Sequence, residues 1–187
     1  TGDLSEDVDF VFSALPQVAS AQAIVPLIRR GLKVVDISAD FRLRDPAEYR
    51  QWYGNEHPAP DLLKESVYGL TEWYRRELAS CSLVANPGCY PTSALLALGP
   101  VLREGIITDD IIIDSKSGVS GAGQSTAAMY DYAQANENLQ AYGLAGHRHL
   151  PEITQELRAR VPGCDPRVTF VPHLVPMTRG ILSTCYA

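Results

Sequence analysis

The sequence predicts an α/β protein with an open, parallel-stranded sheet, followed by a second half of different style. Three observations carry this. Asp9-Phe10-Val11-Phe12-Ser13-Ala14-Leu15 is an apolar run, the mark of a strand buried on both faces. A helical pattern follows, with Val18, Ala21, Val25 and Ile28 on one face and Gly31 to stop it. A second apolar strand over residues 33–38 completes strand, helix and strand within about 30 residues, the span of a parallel crossover unit.

The remaining elements can be read in order. Pro26 lies inside the first helical pattern and is expected to kink it. Residues 41–77 turn polar and aromatic, and Pro58-Ala59-Pro60 in their midst predicts an irregular excursion. A short helix over 72–79 leads to a third strand over 82–86. Asn86-Pro87-Gly88-Cys89-Tyr90-Pro91-Thr92 then turns sharply into a helix reaching about residue 104, with Pro91 at its first position, Pro100 as a kink and Gly105 as its stop. The second half predicts a strand over 111–115, a glycine loop from Gly118 to Gly123 and a helix over 125–138. Gly146-His147-Arg148-His149-Leu150-Pro151-Glu152 enters a further helix with Ile153, Leu157 and Val161 on one face, closed by Pro162-Gly163. Strands over 168–174 and 181–186 finish the chain. A domain boundary is expected at Pro87-Gly88, dividing residues 1–86 from 87–187.

Composition narrows the function. The chain has 187 residues, and 16 basic against 22 acidic side chains give a net charge of −6. That balance argues against a nucleic-acid or anionic-membrane partner. With 45% hydrophobic and 20% charged residues the chain is globular and not disordered. At this length about 70% of the unfolded surface can be buried, so stability needs neither disulfides nor a metal. The four cysteines have no CxxC spacing, and no run approaches the roughly 20 apolar residues of a membrane span. With no signal-peptide pattern present, a reduced, cytoplasmic setting is expected. The chain starts at Thr1 and enters a strand almost at once, as an excerpt of a longer protein would.

Cys89 is the cysteine in a chemical setting. It follows a strand and a glycine turn and opens a helix, where unpaired N–H groups and the helix dipole favour a thiolate. The same groups can stabilise an oxyanion on an attacked carbonyl. A thiolate nucleophile needs a base and later an acid. His147 and His149 bracket Arg148 and would share a face if that segment were extended. A metal site is not indicated, because no third ligand accompanies the His-x-His pair. His57 and His173 read as structural. The loop from Gly118 has the order G-x-x-G-x-G and can cradle a phosphate, although it is not the dinucleotide fingerprint. Arg42 and Arg179 can each hold a carboxylate or phosphate in bidentate fashion.

Together these residues resemble a family. The run from Asn86 to Thr92 and Gly146-His147-Arg148-His149-Leu150-Pro151-Glu152-Ile153 look like signatures of the N-acetyl-gamma-glutamyl-phosphate reductases of arginine biosynthesis. Val35-Asp36-Ile37-Ser38-Ala39-Asp40-Phe41-Arg42, the Ser117 to Gly123 loop and the stretch from Pro172 through Arg179-Gly180 fit the same pattern in the same order. The related aminoadipyl-phosphate reductases of lysine biosynthesis share these motifs.

The resemblance implies part of a doubly wound parallel-sheet dinucleotide-binding domain. It also implies a mixed α+β substrate and dimerisation domain like that of glyceraldehyde-3-phosphate dehydrogenase. It further implies NADP(H) as cofactor, an acyl phosphate as substrate and a homo-oligomer, dimer or tetramer. On this reading Cys89 is the nucleophile, and His147 or His149 is the acid/base while the other aids substrate binding. Ser13, Ala14, Leu15, Pro16, Ser38, Ser117, Gly118, Ser120 and Gly121 lie along the cofactor, and Asn86, Arg42 and Arg179 contact substrate. A complete member is expected to carry a strand and Gly-rich loop before Asp9 and to continue beyond Tyr186, so this chain lacks parts of the cofactor site. Two other readings stand beside the reductase: a cofactor-free cysteine hydrolase or acyltransferase, and an inactive oligomerisation fragment.

Overall fold

The computed structural model describes residues 8–108, 110–122 and 131–187, with the side chain of residue 132 left aside. The chain divides into two compact units, Thr1–Gly88 and Cys89–Ala187.

The first unit holds β1 (Phe10–Ser13), α1 (Ala19–Arg29), β2 (Lys33–Asp36), α2 (Pro46–Tyr53), β3 (Val67–Tyr68), α3 (Thr71–Leu78) and β4 (Leu83–Ala85). Its four strands are all parallel, in the order β1-β2-β4-β3, so the predicted α/β class holds. Apolar side chains from both the sheet and the helices make the core: Ala21 and Ile24 of α1, Val34 and Leu83 of the sheet, and Phe41, Leu62 and Leu63 from the connections. Helix α1 runs through Pro26 to Arg29, and Gly31, at φ +89°, turns the chain away from it.

Residues 41–77 correct the expectation of an irregular excursion. They contain α2, a 3-10 turn over Pro60–Lys64, and β3, a fourth parallel strand. The signals for α2 are present in the sequence: the Asp45 carboxylate accepts from the Ala47 N–H at 2.8 Å, Pro46 takes the first turn, and Gly54 closes the helix in the left-handed region.

A buried polar network sets the loops of this unit. Asp40 is fully buried and caps α1 from 19 or more residues away, accepting from Val18 N at 2.9 Å, Ala21 N at 2.9 Å and the Tyr49 hydroxyl at 2.7 Å. Val18 meets this cap at φ +68°, a conformation that costs a β-branched residue heavily. Asp36 accepts from the hydroxyls of Ser20 and Ser38 at 2.6 and 2.7 Å, and burial raises its carboxyl above the ordinary value despite those bonds.

The second unit holds α4 (Cys89–Arg103), β5 (Asp110–Ser117), α5 (Tyr132–Ala135), β6 (Gln140–Ala141), α6 (His149–Arg160), β7 (Arg167–Leu174) and β8 (Ile181–Tyr186). Its sheet is mixed, in the order β6-β7-β5-β8: β5 and β7 are parallel, while β6 and β8 join antiparallel. Alternation along β5 buries Ile111, Ile113, Ser115 and Ser117, and α4 packs with α6 and against β8. A chain of hydroxyls crosses this layer, from Ser93 of α4 through Ser183 of β8 to Ser115 of β5, with both links at 2.7 Å.

Two corrections belong to this unit. Pro91 is the third residue of α4, not the first; its missing N–H still falls among the first four, which have no helical partner. The helix expected over 125–138 begins outside the described residues, and within them helix α5 spans only four residues. Gly123 of the predicted glycine loop also lies outside the described residues.

Candidate active site

Cys89 is the first residue of α4 and is exposed, whereas Cys81, Cys164 and Cys185 are partly buried. Burial pushes the Cys81 and Cys185 thiols above the ordinary cysteine value. Cys89 stands instead at the N-terminus of a 15-residue helix, an end whose unpaired N–H groups favour an anion.

A cleft of about 230 Å³ opens within the second unit and collects residues distant in sequence. Cys89 and Tyr90 line it from α4, Ser117 and Gly118 from the end of β5, and Gly121 from the 3-10 turn over Val119–Ala122. Tyr142, His147, Arg148 and His149 line it from the segment between β6 and α6. Thus the predicted nucleophile and both predicted imidazoles share one cavity.

The two histidines meet through a turn and not through strand alternation. Arg148 is in the right-handed helical region and His149 already belongs to α6, so the extended segment of the sequence reading is not formed. The backbone N–H of His149 donates to Nδ1 of His147 at 3.1 Å, and the ring centroids are 4.8 Å apart. Tyr90, Tyr142 and Phe170 close an aromatic cage on His147, with centroids at 5.8, 5.7 and 5.4 Å. Burial in this cage, followed by the neighbouring Arg148 charge, lowers the His147 pKa to about 4, so the ring is neutral at pH 7. The cage itself was not legible in the sequence, since its three aromatics come from α4, the stretch after β6, and β7.

The glycine loop is braced from behind. The N–H groups of Gly118, Val119 and Ser120 donate to the carbonyls of Gly180, Met177 and Thr178 at 3.0, 2.9 and 3.0 Å. The Gly121 N–H donates back to the Gly118 carbonyl at 3.3 Å. These amides are spent within the protein, which departs from the expected phosphate cradle. A β-carbon on Gly118 would lie 2.8 Å from Arg179 N and 2.9 Å from Met177 O, so glycine is required for this close approach. Ser117 and Gly121 reach the cleft, Ser120 does not line it, and Arg179 is exposed on the bracing segment.

The remaining predicted residues belong to the first unit. Ser13 and Ser38 turn their hydroxyls inward, to Ser20 at 2.7 Å and to Asp36 at 2.7 Å. Ala14, Leu15 and Pro16 are exposed beyond β1, and Ile37 is exposed beyond β2. Ligands of open α/β sheets bind at such carboxyl ends, and the apolar Leu15 and Ile37 are 47% and 44% exposed there. Arg42 ties two strand ends together, donating from Nε to the Asn86 carbonyl at 2.8 Å and from Nη2 to the Ile37 carbonyl at 2.9 Å. His57 is structural as read: Nδ1 accepts from Ala59 N at 3.0 Å and Nε2 lies 2.9 Å from the Asp40 carbonyl. His173 lies beside Asp114, with Nδ1 and Oδ1 3.1 Å apart. Among the described residues no three His, Cys, Asp or Glu side chains gather as a metal site, and no helix is long and apolar enough to cross a membrane.

The chain belongs to the semialdehyde dehydrogenase family. The profile "Semialdehyde dehydrogenase, dimerisation domain" matches residues 89–187, and "Semialdehyde dehydrogenase, NAD binding domain" matches residues 2–81. Among individual proteins, it is 52% identical over 187 residues to an N-acetyl-gamma-glutamyl-phosphate reductase of Dehalococcoides mccartyi, covering all of this chain and 55% of the relative. It is 55% identical over 186 residues to the reductase of the same name from Pelotomaculum thermopropionicum, covering 99% of this chain and 53% of the relative. The chain therefore spans about half the length of the curated relatives it matches. In fold it is similar to aspartate semialdehyde dehydrogenase II from Vibrio cholerae, with a TM-score of 0.67 at 16% identity over 95% of this chain and 55% of that one. An aspartate semialdehyde dehydrogenase with NADP from Candida albicans is similar with a TM-score of 0.58 at 14% identity, over 95% of this chain and 49% of that one.

Proposed function

We propose that this chain is the acyl-transfer portion of an NADPH-dependent reductase that converts N-acetyl-gamma-glutamyl phosphate to its semialdehyde in arginine biosynthesis. The observation that carries this reading is one cleft holding an exposed helix-N-terminal thiol and two imidazoles. Names of relatives at about half identity supply the acyl group.

The steps follow from the residues. Cys89 Sγ attacks the acyl carbon of the substrate, the C–O bond to phosphate breaks, and phosphate leaves with the bonding pair. The thiol proton passes to an imidazole of the histidine pair. The amide end of α4 stabilises both the thiolate and the oxyanion at the attacked carbon. A thioester on Cys89 results, which accepts hydride more readily than a carboxylate does. A reduced nicotinamide, when bound, supplies that hydride. The histidine pair then returns a proton as the carbon–sulfur bond breaks and the aldehyde leaves.

For the dinucleotide, the exposed Ala14, Leu15 and Pro16 beyond β1 are the contacts we assign in the first unit, with Ser117 and Gly121 in the second. Ser13 and Ser38 hold that loop from within. Arg179 serves as an anchor for the substrate's anionic group, while Arg42 and Asn86 act through the strand ends they join. The protein works in the cytoplasm as a homo-oligomer built through residues 87–187.

The test is acylation of Cys89. The chain is mixed with N-acetyl-gamma-glutamyl phosphate, released phosphate is measured, and the Cys89 peptide is weighed for the acyl adduct. Stoichiometric phosphate release with an adduct on Cys89, abolished in Cys89→Ser, is the expected result. Equal release by wild type and Cys89→Ser sinks the reading.

A further inference from the structure

His147 and His57 share a local device that fixes a ring's proton. In each, Nδ1 accepts the backbone N–H two residues on: Ala59 N to His57 at 3.0 Å and His149 N to His147 at 3.1 Å. A backbone N–H can only donate, so Nδ1 carries no proton and a neutral ring bears its proton on Nε2. At His57 the outcome is visible, because Nε2 lies 2.9 Å from the Asp40 carbonyl, an obligate acceptor. At His147 the Nδ1 assignment has a second support. The Cδ2 edge packs against Gly143, where a β-carbon would stand 3.2 Å away. Turning the ring over would put Nδ1 against that apolar contact and leave the His149 N–H facing a carbon.

The difference between the two rings is the fate of Nε2. His57 spends it inside the protein. His147 Nε2 makes no hydrogen bond among the described residues, nor is it among the buried polar atoms left unsatisfied, and the residue lines the cleft with Cys89. Among the described residues the groups around it are Tyr90 and Phe170 from α4 and β7, Tyr142 after β6, the adjoining Arg148 and the ring of His149. None of them is a carboxylate that would hold an imidazolium.

We propose that His147 is a fixed hydrogen-bond donor, presenting Nε2–H to an oxygen of the ligand in the cleft, and that it does not carry the proton of the thiol. With Nδ1 taken by a backbone N–H and Nε2 already protonated, the ring has no lone pair for that proton. Proton transfer falls to His149. The donor role rests on acylation of Cys89 as proposed above, while the tautomer does not.

The experiment has two arms. In the first, the 187-residue chain labelled with 15N-histidine is studied by long-range 1H–15N correlation, with His147→Gln identifying the signals. The expected result is an unprotonated Nδ1 and a protonated Nε2 from pH 8 to pH 5.5; a proton on Nδ1, or an imidazolium near pH 7, overturns the proposal. In the second, single-turnover acylation is followed across pH. His147→Gln, whose amide can still donate, is expected within about fivefold of wild type with the same pH profile, and His147→Leu about a hundredfold slower. A glutamine variant as slow as leucine, or one that loses the wild-type pH limb, overturns the donor role. A wild-type chain that never acylates defeats the acyl-phosphate reading, and the nitrogen signals then decide the tautomer by themselves.

Discussion

The hydroxyls of Tyr90 and Tyr142 lie 2.7 Å apart and share a hydrogen bond that joins the first turn of α4 to the chain just after β6. Both rings also stand edge-on to His147. The bond therefore holds two walls of the cleft at a set distance. Replacing Tyr142 by Phe keeps the ring and removes the bond, at an expected cost of about 1–2 kcal/mol because Tyr90 is buried. Urea unfolding followed by far-UV circular dichroism measures the loss.

The His147 cage makes stability depend on pH. The ring titrates at about 4 when folded and near its ordinary 6.5 when unfolded. Between those values the unfolded chain binds more protons, so stability rises with pH and is lost as pH falls from 6.5 towards 4. His57, also lowered by burial, acts in the same sense. Asp36, raised by burial, acts in the opposite sense just above pH 3.8. The His147 share is about 2–3 kcal/mol across the window at most. His147→Gln is expected to flatten the dependence between pH 7 and 5 in urea titrations, and an unchanged slope counts against the caged ring.

Val18 is a β-branched residue held at φ +68°. Glycine adopts that conformation freely, and its extra unfolded-state entropy offsets only part of the relieved strain. Val18→Gly is expected to stabilise the first unit by about 1 kcal/mol. Both tryptophans, Trp52 and Trp73, belong to that unit, so their emission during unfolding reports the change.

Gly118→Ala tests the brace behind the cleft. The new methyl would meet backbone atoms of residues 177 and 179, which cannot swing aside as a side chain can. A loss of about 1–3 kcal/mol is expected. Thermal unfolding checks it, with Gly163→Ala as a comparison in which the methyl meets open space and the only strain is that of φ +75°.

The sequence was most legible where physical rules act over short range. Apolar runs marked β1, β2 and β5, strands expected over 82–86, 168–174 and 181–186 match β4, β7 and β8, and the four-residue spacing of Ile153 and Leu157 marked α6. Helix α2 has its signals in Asp45, Pro46 and Gly54, which the expectation of an irregular excursion around Pro58-Ala59-Pro60 left out of account. Strands β3 and β6 have two residues each, too few for any alternation to show. Cys89, His147 and His149 could be picked out because their chemistry is rare. The cage of Tyr90, Tyr142 and Phe170 could not, because apolar and aromatic positions carry no mark of which distant partner they will meet. The inward turn of the Ser13 and Ser38 hydroxyls was hidden for the same reason: their partners, Ser20 and Asp36, become neighbours only when the loops close.

The boundary between the two compact units falls immediately before Cys89. The thiol, both imidazoles and the cage are thus inherited as a single contiguous stretch of fewer than 100 codons. Every residue that lines the cleft follows that junction in the chain, so a break made there would carry the thiol, both imidazoles and their aromatic surroundings away together.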